Sequence, residues 1–194
     1  MGTKQSRAVI IIDMQKEYFK KGGFLEVPEG RRVADNLVRL IAAARENSIP
    51  VIHVRHVSKN PSDATFRAGS DAVDFVDDLL PANGEEIITK TRPSSFYLTE
   101  LDTLLMRQGI DTLVIGGLMS FMCCDTTARD AHARGYTVYF LRDGTGAIPL
   151  GGIPVETVHE VTCAVQGLVF SRVVSTDEMI GMISRDREEA VSRD

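Results

Sequence analysis

Six short runs of apolar, largely β-branched residues are separated by longer segments with helical periodicity, and that alternation constrains the fold more than any other feature. The runs are AVIII (8–12), VIHV (51–54), EIIT (86–89), TLVIG (112–116), TVYFL (137–141) and RVVS (172–175). Between them lie RRVADNLVRLIAAARENS, SDAVDFVDDLL, YLTELDTLLMRQG, CDTTARDAHARG and VETVHEVTCAVQGL. In the first of these, Val33, Leu37, Leu40, Ile41 and Ala44 recur at helical spacing and make one apolar stripe. Gly109 and Gly135 follow helical segments, as capping glycines do. Strands alternating with helices predict a parallel sheet covered on both faces. The expected architecture is α/β: a three-layer α/β/α sandwich around a mostly parallel, Rossmann-like sheet of about six strands. With 194 residues and no repeat or linker, the chain (1–194) reads as one domain, with 1–6 a flexible tail.

Three segments rich in Gly, Pro and Ser are expected to be loops that shape a site: 20–30, 58–70 and 143–154. The second is long for a connection, so it is a lid, a subunit contact or a plain surface excursion. Composition narrows the partners. The net charge is −5 and no basic cluster is visible, which argues against nucleic acid. No apolar run is long enough to span a bilayer, and MGTKQSR lacks the apolar core of a signal peptide. Three cysteines are too few for a disulfide framework and fit a reducing cytoplasm. No Gly-rich phosphate signature follows the first strand, so no cofactor is expected.

Ligands of open parallel sheets bind beyond the carboxyl ends of the strands. Asp13 closes the first strand, Lys90 closes the third, and the fourth runs out toward the adjacent Cys123 and Cys124 at the start of a helix. Parallel strands therefore bring an acid, an amine and a thiol to one edge. Each type has an ordinary use: Asp as a turn cap, Lys as a solvated charge, Cys as small apolar filler. Together they have the makings of nucleophilic catalysis. Only a thiolate attacks, and a helix N-terminus and a neighbouring ammonium both stabilise it. A carboxylate within reach can take the thiol proton and pass it to a leaving group. Backbone N–H groups in the strand-to-helix turn can hold the oxyanion of a tetrahedral intermediate.

These motifs resemble the isochorismatase-like cysteine hydrolases, a family that includes nicotinamidases, N-carbamoylsarcosine amidase and ureidoacrylate amidohydrolases. The resemblance runs from AVIIIDMQKEYF through ITKTRPSSFYLTELDTLLMRQGIDTLVIGG to CCDTTARDAHARGYTVYFLRDGTGA. It implies a catalytic triad of Asp13, Lys90 and Cys123. The family places a glycine six residues before its nucleophile and a threonine four after it, and Gly117 and Thr127 meet both conditions for Cys123 alone. Cys124 then falls where the family usually has valine, and Cys163 reads as core. The resemblance further implies a non-proline cis peptide at Leu118–Met119, an oxyanion hole made by the Met119 and Cys123 amides, and pocket-lining roles for Tyr18 and Phe96. Gln15 belongs to the first motif and is expected to brace Asp13 at the substrate site.

Departures from the family pattern bear on the substrate. Lys16 and Glu17 replace the common Asn and Asp, and Ser120 and Phe121 stand where many relatives carry Thr followed by His or Asn. Phe121 is thus expected to make the pocket more apolar. Family nicotinamidases carry an Asp-x-His…His metal site after the second strand. Here His53 and His56 point to opposite faces of a strand with no carboxylate at ligand spacing, so no metal is expected. His132 and His159 read as surface residues on helices.

The expected activity is cofactor-free hydrolysis of a small amide, ureide or related C–N bond through a thioester, by a cytoplasmic homo-oligomer (dimer or tetramer). Two alternatives are vinyl-ether hydrolysis of an isochorismate-like substrate, in which the Asp acts as acid, and a catalytically idle partner-binding module.

Overall fold

In a computed structural model, which describes residues 6–60 and 62–191, the six apolar runs become six strands: β1 (Arg7–Ile12), β2 (Val51–His56), β3 (Glu86–Lys90), β4 (Thr112–Leu118), β5 (Thr137–Gly146) and β6 (Arg172–Val174). Their order is β3-β2-β1-β4-β5-β6, and every neighbouring pair is parallel. The sheet is thus wholly rather than mostly parallel. Its order reverses direction between β1 and β4, the crevice where open α/β sheets take their ligands. Four α-helices lie between strands, α1 (Gly30–Glu46), α2 (Leu101–Arg107), α3 (Asp125–Ala133) and α4 (Val155–Val165), and α5 (Thr176–Val191) follows β6.

Period-two alternation along β1 builds the layers. Val9 and Ile11 join a core with the α1 stripe (Val33, Leu37, Leu40, Ile41, Ala44) and with Met179 and Ile183 of α5. Ala8, Ile10 and Ile12 join a second core with Leu101, Leu104 and Leu105 of α2, Ala128 and Ala131 of α3, and Cys163 of α4. The start of α5 is a capping box. The Glu178 N–H donates to Ser175 Oγ (3.2 Å), and the Ser175 N–H donates to Glu178 Oε2 (2.7 Å).

Three expectations change. The segment 70–80 is not a helix but two short 3-10 turns, Asp71–Val73 and Asp77–Leu79. Its backbone is drawn into extended pairing instead. The Lys16 N–H donates to Asp74 O, the Val76 N–H donates to Met14 O, and Gln15 bridges Phe75. The loop expected at 143–154 begins as strand, because β5 continues past a register shift so that Gly117 pairs with Thr145 and Leu118 with Gly146. Of the tail expected at 1–6, residues 1–5 lie outside the described residues. The Ser6 carbonyl is held by the N–H groups of Asp111 and Thr112 at the start of β4.

Candidate active site

The carboxyl edge of the sheet gathers the three residues that close strands. Asp13 follows β1 with φ +52°, in the left-handed region that Asp tolerates better than most residues. A tight local turn holds it there: its N–H donates to Val54 O (2.8 Å) and its carbonyl accepts from the Gln15 N–H (2.7 Å). Lys90 ends β3, two strands away, and its side chain crosses the end of β2 fully buried. Its Nζ lies 2.7 Å from Asp13 Oδ2 and donates to Cys123 Sγ at 3.2 Å. The Lys90–Asp13 contact is an ion pair off the hydrogen-bonding direction, and neither Asp13 oxygen has a well-directed hydrogen bond among the described residues.

Cys123 arrives by a different device. After β4 and a cis Leu118–Met119 peptide, residues Ser120–Cys124 form one π-helical turn that runs straight into α3. The glycine six residues before the thiol has a physical reason. Gly117 has φ +127°, and a Cβ there would fall 2.0 Å from Ile12 O, so β4 meets β1 at this height only without a side chain. Cys124 is fully buried in the core with Ala128 and Ala131, and all three thiols are free. Among the described residues no backbone carbonyl accepts from the Met119 N–H, which leaves that donor available.

The electrostatics add what the sequence did not show. Burial pushes the Cys123 thiol up to about 12, the Asp13 carboxylate pushes the same way, and the Lys90 ammonium pulls it down without prevailing. Burial and Asp13 together thus favour the protonated thiol in the empty site. Burial works against the Lys90 charge, but Asp13 and Cys123 outweigh it, and the amine stays charged with its pKa raised. Complete burial first, then the neighbouring Cys123 and Asp13, raise the Cys124 thiol well above the usual range.

Around Asp13, Lys90 and Cys123 stands a wall of rings. Tyr18 meets Phe66 edge-on at 5.2 Å, and Phe66 meets His56 edge-on at 5.1 Å. Burial first, then the charges of Asp13 and Cys123, raise the Tyr18 hydroxyl well above its usual pKa. Phe66 belongs to the long segment 58–70, which therefore sends a side chain into the core beside the site. Phe121 is half-buried against the same core. His56 Nδ1 lies 3.4 Å from Lys90 Nζ, and burial and the Lys90 charge both lower its pKa. A neutral His56 thus offers the ammonium a third acceptor. Sequence reasoning weighed His56 only as a metal ligand. The missed signal was its place at the end of β2, in register with Lys90.

Three sequence expectations move. Gln15 does not brace the Asp13 carboxylate: its Nε2 donates to His56 O (2.9 Å) and Val73 O (2.8 Å), and its Oε1 accepts from the His56 N–H (2.8 Å). Its amide thereby ties β2 to the 71–73 turn. Phe96 stacks on Tyr136 at the start of β5, 6.0 Å between centroids, and lies under the Arg134 guanidinium beyond the end of α3. Those contacts lie toward the opposite end of α3 from Cys123, although Phe96 and Cys123 belong to one buried cluster. His159 is not a plain surface residue but half-buried and hydrogen-bonded to Ser120 and Arg142. His132 is exposed, edge-on to Phe170.

His53 and His56 do go separate ways. His53 Nε2 sits 2.9 Å from Glu85 Oε2, while His56 faces Lys90. Among the described residues no group of three His, Cys, Asp or Glu side chains is arranged to hold a metal ion. Nor is any described helix long and apolar enough to cross a membrane.

Known proteins share this arrangement of chain. A cysteine hydrolase from Pseudomonas syringae pv. phaseolicola 1448A superposes with a TM-score of 0.89 at 27% identity, over 95% of both chains. An isochorismatase family protein of Bacillus subtilis, YddQ, is 31% identical over 89% of this chain and 98% of its own. The ureidoacrylate amidohydrolase of Pantoea ananatis is 32% identical over 74% of this chain and 70% of its own. The isochorismatase domain profile matches residues 7–176, from the first residue of β1 to the first of α5, and so takes in all six strands and the edge where Asp13, Lys90 and Cys123 meet. By fold and by sequence the chain belongs to the isochorismatase family of hydrolases.

Proposed function

We propose that the chain is a cysteine-dependent amidohydrolase that opens a small amide, ureide or related C–N bond through a thioester on Cys123. The observation that carries this reading is the buried Lys90 amine, held between Asp13 at 2.7 Å and Cys123 at 3.2 Å. Asp13, Lys90 and Cys123 form the catalytic triad, and the amides of Met119 and Cys123 form the oxyanion hole. Tyr18 and Phe121 line the substrate space, joined by Phe66 and His56.

The raised thiol sets the order of events. As Sγ attacks the carbonyl carbon, the thiol proton passes to Asp13, and the carbonyl oxygen takes the negative charge between the two amides. The Lys90 ammonium steadies the sulfur while it carries charge. Asp13 then gives the proton to the nitrogen as the C–N bond breaks, which releases ammonia or an amine and leaves the thioester. A water gives a proton to Asp13 and attacks the thioester. Asp13 returns that proton to the departing sulfur, and the acid leaves with thiol and carboxylate restored. No step uses a metal or cofactor.

The three free thiols support a reducing, cytoplasmic setting. Exposed apolar side chains, among them Phe24, Leu98, Leu168 and Val169, support self-association into a dimer or tetramer. The test of the activity is ammonia release from a panel of small primary amides and ureides. On any amide the wild type hydrolyses, Cys123→Ala loses about 10⁴-fold or more in turnover and keeps its fold. Undiminished turnover by Cys123→Ala overturns the reading.

A further inference from the structure

We infer that His159 is a positioning residue that, through Ser120, holds the cysteine turn in the shape that makes the oxyanion hole. The inference rests on the thioester reading proposed above.

Hydrogen bonding fixes the state of the ring. His159 Nε2 lies 2.8 Å from the Arg142 carbonyl oxygen, which can only accept, so Nε2 carries the proton. Burial lowers the His159 pKa, which keeps the ring neutral. Nδ1 is then a bare acceptor, and Ser120 Oγ, 3.0 Å away, must donate to it. One imidazole thereby ties three elements together: α4, which carries it; β5, through Arg142; and the π-helical turn, through Ser120. Cys163 Sγ, 3.6 Å from Nε2, closes the far side of the ring.

The place of the tie gives it meaning. Ser120 is fully buried and is the first residue of the turn. The two amides assigned to the oxyanion lie on either side of it, Met119 one residue before and Cys123 three after. Nothing in the proposed chemistry asks Ser120 to touch substrate, yet its hydroxyl has a directed partner 39 positions away in the chain. Preorganised donors lose much of their effect when displaced by about 1 Å, on the order of a hundredfold in rate. A turn held only by its own backbone would let that displacement happen.

The test compares two reactions of Cys123 on the full chain, each followed by intact mass and peptide mapping. Acetylation by p-nitrophenyl acetate passes through a tetrahedral oxyanion, whereas alkylation by iodoacetamide does not. Ser120→Ala removes only the hydroxyl, and His159→Phe keeps a ring but removes both nitrogens. The expected result is that acetylation slows about ten- to a hundredfold in each variant, while alkylation stays within about twofold. The double variant should be no slower than the worse single one, because both changes cut one link. Acetylation at the wild-type rate in both variants overturns the positioning role and leaves the thioester reading standing. An equal slowing of both reactions overturns it as well, since that is what a merely structural role gives. A wild type in which Cys123 neither forms an acetyl adduct nor is needed for p-nitrophenol release overturns the thioester reading and this inference with it.

Discussion

Strand β3 separates two ionic clusters, one partly exposed and one buried, and they are built on opposite principles. At its amino end, Glu85 accepts from Arg45 Nε (2.8 Å) and Nη2 (2.9 Å), from the Ala82 N–H (2.8 Å) and from His53 Nε2 (2.9 Å). Burial alone would raise that carboxyl, but these donors hold it down at about 2. At the carboxyl end, Asp13 has a close ammonium and no well-directed hydrogen bond among the described residues, beside a thiol whose proton burial locks in place. The first cluster gives both carboxylate oxygens directed donors and serves as a clamp between α1, β2 and β3. The second packs a carboxylate against one ammonium and a thiol without such a network. A buried charge with spare hydrogen-bonding capacity costs stability, and here the spare capacity is what the proposed reaction uses.

Single substitutions break the comparison in different ways. Lys90→Met should have the largest effect. It leaves Asp13 buried without a counter-charge, which costs about 3–5 kcal/mol in chemical denaturation, and turnover falls at least about 10³-fold. Adding Asp13→Asn should recover most of the stability and none of the turnover. Recovery of turnover would show that the pair is structural.

Glu85→Gln should cost less, about 1–3 kcal/mol at neutral pH, with turnover within about twofold of wild type. The sign follows from the lowered carboxyl. Its contribution is complete above the ordinary value of 4.5 and is lost as pH falls from there toward about 2. Denaturation curves of wild type and Glu85→Gln should therefore converge across that acid window. Cys124→Ala should have the smallest effect. A small buried thiol is replaced by a methyl, which costs about 1 kcal/mol, and ammonia release stays within about twofold. A dead Cys124→Ala beside a live Cys123→Ala would reverse the assignment of the nucleophile.

Much of this was legible in the chain, for reasons that can be traced to residues. β-branched runs of four or five residues between helical stripes leave little choice but a parallel sheet. Once the sheet is parallel, Asp13, Lys90 and the cysteine turn must share an edge. Gly117 carried a readable signal too, and the structure supplies its cause in the contact with Ile12. Long-range hydrogen bonding was not legible. Nothing local tells that Gln15 spends its amide on His56 and Val73, or that backbone from 14–16 pulls 74–76 out of helix. The Ser120–His159 link spans 39 positions and has no periodicity to betray it. Phe96 shows the same limit: its motif position was readable, but the ring follows Tyr136 and Arg134. The state of the thiol was not legible either, because a neighbouring ammonium is visible in the sequence and the depth of burial is not.

That last point gives the most direct test. The account holds that Cys123 is a thiol until substrate arrives, with Asp13 as the acceptor of its proton. Iodoacetamide alkylation of the wild type, followed by intact mass and peptide mapping from pH 6 to 11, reads this in one series. The predicted result is a reactive adduct at Cys123 ahead of Cys124 and Cys163, with a rate that is low at neutral pH and still climbing past pH 10. A rate at Cys123 that levels off below pH 8 would show a thiolate already formed in the empty site and would contradict the account.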